Sequence, residues 1–209
     1  MLDVRLIAIS DLSVLPADEL VARLRRLAAL ARPQSVALLL RDHAASGQQR
    51  LALGERLRDI ALEQRQSLWV ADRADLALLL GAAVLHLGEA SVCARNVRRL
   101  LPEGIRISRA WHRTSGEGGE SELTDVDALL LSPVLEARKG RPALGLPALS
   151  ALGEQLRARN QAYPLFALGG VSATNAASCL EAGASGVAAI GAALAADPRP
   201  LLASLGIRR

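Results

Sequence analysis

Residues 166–194 read FALGGVSATNAASCLEAGASGVAAIGAAL, and this stretch decides the architecture. An apolar run ends in Gly169 and Gly170, a helical segment follows at 173–182, and a second apolar run at 186–190 ends in Gly191 before another helical segment. Two short apolar strands separated by a helix must lie parallel, because only a crossover of a dozen or more residues returns the chain to the same end of a sheet. Continuous rather than alternating apolarity means that both faces of each strand are covered.

Working outward, the same alternation fills the chain. Strand candidates stand at 4–10, 36–41, 67–71, 84–87, 106–111, 128–132, 165–168 and 186–190. Helical stretches stand between them at 17–31, 48–64, 73–80, 90–101, 148–159, 173–182 and 192–204. The missing helix falls between strands five and six, where residues 113–125 read RTSGEGGESELTD, too rich in glycine and serine for more than a helical turn, so a mobile loop is expected. Eight strands in 209 residues predict a single compact (β/α)8 barrel spanning residues 1–209, with the fifth helix reduced to a Gly-rich loop. An open doubly wound sheet is the alternative, and the lack of a dinucleotide fingerprint after strand one weighs against it.

Composition sets the outer limits. With 51% hydrophobic and 22% charged residues the chain can fill a core. No apolar run reaches the ~18 residues that span a bilayer, and MLDVRLIAISDL carries acids where a signal peptide carries bases, so a cytoplasmic protein without a membrane partner is expected. Two cysteines, Cys93 and Cys179, build no disulfide framework and read as buried thiols. The +4 charge raises nucleic acid as a partner. However, all but one of the 25 basic residues are arginine, acids are interleaved with them, and only four aromatic residues could stack on bases, so no nucleic-acid partner is expected.

In such a barrel, chemistry sits at the carboxyl ends of the strands. Gly169, Gly170, Ile190 and Gly191 form two adjacent strand-to-helix turns, where missing Cβ atoms and free backbone N–H groups suit a phosphate; tight turns alone are the other reading. In LLLRDH, Arg41 can fork onto a phosphate with His43 beside it, or Arg41 can simply pair with Asp42 on the surface. Asp72 can cap the helix starting at Arg73, with Asp75 completing a capping box, or can hold Mg²⁺ with Glu89 as the only other acid at a matching strand end. His86 reads as a satisfied barrel residue and His112 as a group at the mouth. Lys139, the only lysine, sits in EARKGRPALG and either closes over an anionic substrate or lies exposed.

The stretch 71–89, ADRADLALLLGAAVLHLGE, resembles the NDRxDLAxxxGAxGVHLGQ pattern of the thiamine phosphate synthase and thiazole tautomerase family, and 167–194 resembles its AIGGIxxxNxxxxxxAGAxGVAVISAI. The resemblance covers nearly the whole chain. It implies a barrel of thiamine biosynthesis that joins hydroxymethylpyrimidine diphosphate to thiazole phosphate with Mg²⁺, releasing pyrophosphate. It places the thiazole phosphate at Gly170 and the Ile190–Gly191 turn, carries Arg41, Asp72 and His112 over unchanged, and leaves Lys139 as the family's loop lysine. Other positions depart: Leu39, His43, Ala71, Glu89, Ser91 and Ala110 stand for the family's Gln, Lys, Asn, Gln, Asp and Ser, and Pro133 stands at the tautomerase's catalytic His. These departures gather on the diphosphate and metal half, so a weakened Mg²⁺ site is expected. A non-catalytic binder of thiazole phosphate or thiamine phosphate, a tautomerase-like paralogue, and an unrelated phosphate-ligand enzyme using His112 are the alternatives.

Overall fold

A computed structural model describes residues 3–113, 123–138, 140–159 and 163–209. Its strands are β1 (Leu6–Ile9), β2 (Val36–Leu40), β3 (Ser67–Ala71), β4 (Val84–Leu87), β5 (Arg106–Trp111), β6 (Ala128–Leu131), β7 (Leu165–Leu168) and β8 (Gly186–Ala189). All pair in parallel with their sequence neighbours, and β1 closes onto β8 with Leu6 opposite Val187, as well as pairing with β2 with Leu6 opposite Val36. The expected closed barrel is therefore observed.

Strict alternation divides each strand between two cores. Ile7, Ile9, Ala37, Leu39, Trp69, Ala71, Ala128, Leu130 and Phe166 fill the barrel interior, whereas Leu6, Ala8, Leu38, Leu40, Val70 and Leu129 pack outward against the helices. Trp69 and Phe166 meet edge to face inside the barrel, with centroids 5.9 Å apart and planes at 86°, in the geometry that ring quadrupoles favour.

The described helices are α1 (Ala17–Leu30), α2 (Gly47–Gln64), α3 (Ala74–Leu80), α4 (Ala94–Arg98), α5 (Gly145–Ala158), α6 (Ala176–Glu181) and α7 (Arg199–Ser204). At the start of α2, Ser46 and Gln49 form a reciprocal capping box. Three helices are shorter than their apolar periodicity predicts. The expected helix at 192–204 begins only at Arg199, since the chain makes one turn closed by Leu194 N–H donating to Ile190 O at 2.9 Å, and Pro198 then sets the true start. The expected 90–101 shrinks to α4, and α6 starts after the bonded turn at 172–175. Of the two cysteines, Cys179 is buried as expected and Cys93, just before α4, is exposed. The Gly-rich connection predicted at 113–125 lies outside the described residues over 114–122.

Candidate active site

The carboxyl ends of the strands enclose a cavity of about 800 Å³ whose floor is apolar, made by Ile9, Leu39, Ala110, Leu130 and Leu168, and whose rim is charged. The rim includes Arg41, His43, Asp72, Glu89, His112, Arg138 and Arg141. Gly169 and Ile190 line the same space, so the structure brings most of the sequence-selected residues to one mouth. Lys139 lies outside the described residues.

The β2 end is wired differently from the simple surface pair. Asp42 is buried and accepts from Ser10 Oγ and, at 2.6 Å, from Leu12 N–H, which removes it from Arg41. Arg41 instead pairs with Asp11 at 2.7 Å, and its Nε is buried without a hydrogen-bond partner among the described residues. A buried guanidinium N–H with no acceptor is costly unless a ligand completes it.

Asp72 is not the helix cap. Its backbone is left-handed (φ 61°), which throws the side chain away from α3 and across the mouth, and Arg73 occupies the cap position with its guanidinium on Asp75. Asp72 Oδ1 accepts from Gly88 N–H at 3.0 Å and from the Ser91 hydroxyl, and Oδ2 lies 3.6 Å from His43 Nδ1. Burial pushes this carboxyl up, but the Ser91 and Gly88 hydrogen bonds and the neighbouring His43 outweigh it and hold Asp72 below the usual range, hence ionised. A strained non-glycine residue aimed into a cavity is the arrangement expected of a working group.

Glu89 turns outward to Arg141, 2.6 Å away, and lies 3.9 Å from His112 Nε2. The hydrogen bond from Arg141 holds its carboxyl low. Donation from His112 Nδ1–H to Ser132 O at 2.6 Å leaves Nε2 facing the mouth. His86 is satisfied, as expected of a barrel residue, by Ser108 Oγ at 3.0 Å, and burial drives its imidazole down to about 4, so it is neutral at pH 7. No three His, Cys, Asp or Glu side chains converge among the described residues, which leaves Asp72 as the half-buried carboxylate at the mouth and Glu89 committed to arginine.

The two glycine turns have separate jobs. Gly169 (φ 106°) and Gly170 (φ 74°) need glycine for backbone reasons: a Cβ on Gly170 would stand 2.6 Å from Glu136 Cβ and 2.9 Å from Glu136 N, and one on Gly169 would meet Pro133 Cα at 3.0 Å. A Cβ on Gly191 would meet nothing within 4 Å. Asn175 ties the β7 turn by accepting from Ser172 N–H and donating to Gly170 O. Among the described residues the N–H groups of Gly170, Val171, Gly191, Ala192 and Ala193 have no acceptor.

Arg138 and Arg141 are the rim residues that the sequence reading missed. They flank Lys139 in the sequence, and they exchange mutual backbone hydrogen bonds of 3.0 Å each.

A sequence profile described as TMP-TENI, thiamine monophosphate synthase, matches residues 6–193. The chain is 34% identical over 168 residues to the thiamine-phosphate synthase of Deinococcus radiodurans, covering 77% of this chain and 58% of that longer relative. It is 32% identical to the thiamine-phosphate synthase of Albidiferax ferrireducens, covering 81% and 76% respectively. A solved structure, a thiamine phosphate pyrophosphorylase from Pyrococcus furiosus, superposes with a TM-score of 0.82 at 24% identity over 98% of this chain and 95% of the other, and shares its fold.

Proposed function

The chain belongs to the thiamine monophosphate synthase family, and on that premise we propose that it joins hydroxymethylpyrimidine diphosphate to thiazole phosphate with release of pyrophosphate. In that reaction a thiazole nitrogen lone pair forms the new bond to the pyrimidine methylene carbon while the carbon–oxygen bond to diphosphate breaks, its electron pair leaving with pyrophosphate. The site must therefore hold two anionic substrates in line and stabilise a highly charged leaving group.

The observation that carries this reading is the set of unpaired N–H groups at the ends of β7 and β8, in the turns that begin at Gly169 and Ile190 of the arginine-rimmed cavity. Backbone donors of this kind suit a phosphomonoester, and in barrels these two turns often share one. Arg41, with its unpartnered Nε, and Arg138 and Arg141 would hold the diphosphate. His112 presents Nε2 to the same space. Mg²⁺ takes hard oxygens, commonly one or two carboxylates completed by substrate phosphates, and Asp72, half-buried and ionised, fits that role with Glu89 too engaged by Arg141 to be a strong ligand. When bound there, the ion would neutralise charge on the departing pyrophosphate.

The apolar floor supports a second reading, a binder of thiazole phosphate alone, because Leu39 and Ala110 offer a pyrimidine ring no polar contact. Pyrophosphate release by the purified chain with both substrates decides between them. The synthase reading expects Mg²⁺-dependent release that falls about 10²–10³-fold in Asp72→Asn; tight thiazole phosphate binding without any release favours the binder. The chain is expected to work in the cytoplasm; among its described residues no helix is long and apolar enough to cross a membrane.

A further inference from the structure

A cavity larger than the mouth lies at the opposite end of the barrel. It measures about 1010 Å³ and opens on the amino ends of the strands. Arg5 precedes β1, Arg32 lies between α1 and β2, Arg106 opens β5, and Arg157 stands in the last turn of α5; all four line it, against two acids, Asp3 and Asp127. Asp127 is already engaged, accepting from Ile107 N–H at 2.7 Å and lying 3.9 Å from Arg98, outside the cavity. Arg32 donates to Gly206 O at 2.5 Å. Among the described residues, the guanidiniums of Arg5, Arg106 and Arg157 donate to no acceptor and pair with no carboxylate.

Arg41, Arg73, Arg141 and Arg199 pair with carboxylates, whereas among the described residues the guanidiniums of Arg5, Arg106 and Arg157 do not, and these three line one concavity. Arg157, although exposed, lies over two glycines: its Nη1 is 3.5 Å from where a Cβ on Gly153 would stand and 4.0 Å from the same point on Gly183. Beside Ser35 and Ser185 the wall carries an apolar stretch, with Val4, Leu156, Leu165 and Ile207 next to Tyr163. Planar guanidinium forks match phosphate oxygens, and an apolar wall suits a ligand body. A duplex or single strand would need a convex or aromatic-lined basic surface instead.

We propose that this amino-terminal cavity is a second anion site, separate from the mouth, for a phosphorylated small molecule with an apolar body. The site gives the basic excess of the sequence a location and a use. Adenosine monophosphate, inorganic pyrophosphate and uncharged adenosine are the probes, titrated calorimetrically into the wild-type chain, Arg157→Gln, Arg106→Gln and, as a mouth control, Arg41→Gln. The expected pattern is adenosine monophosphate binding that survives Arg41→Gln, weakens at least tenfold in Arg157→Gln and Arg106→Gln, and is absent for adenosine. Because Arg157 is exposed at a helix end, its variant decides the matter if Arg106→Gln does not fold. Wild-type binding that is undetectable at millimolar probe, lost in Arg41→Gln, or unchanged in Arg157→Gln overturns the proposal.

Discussion

Replacing Gly170 with alanine separates what the glycine turns do for the fold from what they do for a ligand. At φ 74° an L-residue is strained by roughly 1–2 kcal/mol relative to glycine. The new Cβ would also stand 2.6 Å from Glu136 Cβ and 2.9 Å from Glu136 N, so backbone rather than a flexible side-chain tip must move, at a cost of about 1–3 kcal/mol. The sum, roughly 2–5 kcal/mol, corresponds to a drop in Tm of about 4–20 °C for a chain of this size. The loop that has to give is held to β7 by Val134 N–H donating to Leu168 O and Leu135 N–H to Gly169 O, both at 2.9 Å, and it carries Arg138 and Arg141. Thiazole phosphate affinity should therefore fall with stability, although the new methyl does not point at the phosphate site. Gly191→Ala is the control: no atom lies within 4 Å of the added carbon and its backbone is not left-handed, so Tm should stay within about 1 °C and a contact made by its N–H should persist. Thermal denaturation followed by circular dichroism, with calorimetric titration of thiazole phosphate, reads both quantities. A Gly170→Ala protein melting like wild type, or a Gly191→Ala protein losing as much, would refute the reasoning.

Three further outcomes follow from the site. His86 titrates near 4 when folded against an ordinary 6.5, so the unfolded chain takes up this proton first as pH falls; its contribution, about 3 kcal/mol at most, is intact above pH 6.5 and is lost between 6.5 and 4, and urea unfolding across that window should show a slope that His86→Asn flattens. Ser91→Asp replaces the hydroxyl that donates to Asp72 with a second carboxylate, so the variant should melt lower than wild type in chelator and gain more from added Mg²⁺, a difference that thermal shift with and without the ion measures directly. Arg141→Gln breaks an exposed pair with Glu89, so Tm should change little while KM for the diphosphate substrate rises; steady-state kinetics with unchanged KM would remove Arg141 from substrate binding.

The sequence by itself determined the barrel. Eight buried parallel strands need eight apolar runs, and their spacing of roughly one crossover each is local information that a chain carries in plain order; β3, β4, β5 and β7 fall on their predicted limits. The glycine turn after β7 was legible for the same reason, since a left-handed turn between a strand and a helix admits few other residues. Helix lengths were less so. The periodicity of 192–204 continues through a stretch that packing and Pro198 keep out of the helix.

Only the tertiary structure decided how the strand ends face one another. Asp72 reads as a cap by its place before a helix, and a left-handed backbone instead turns it onto Gly88 and Ser91, 16 and 19 residues away. Arg41 exchanges its neighbour Asp42 for Asp11 because Asp42 is drawn under the β1 end by Ser10 and Leu12. Arg141 finds Glu89 across 52 residues, and four arginines from distant parts of the chain surround one cavity. Partners of this kind are set by barrel closure, which brings strand ends together without regard to their separation in sequence. No local pattern of charges records which of 25 basic residues will meet which acid, and which will meet none.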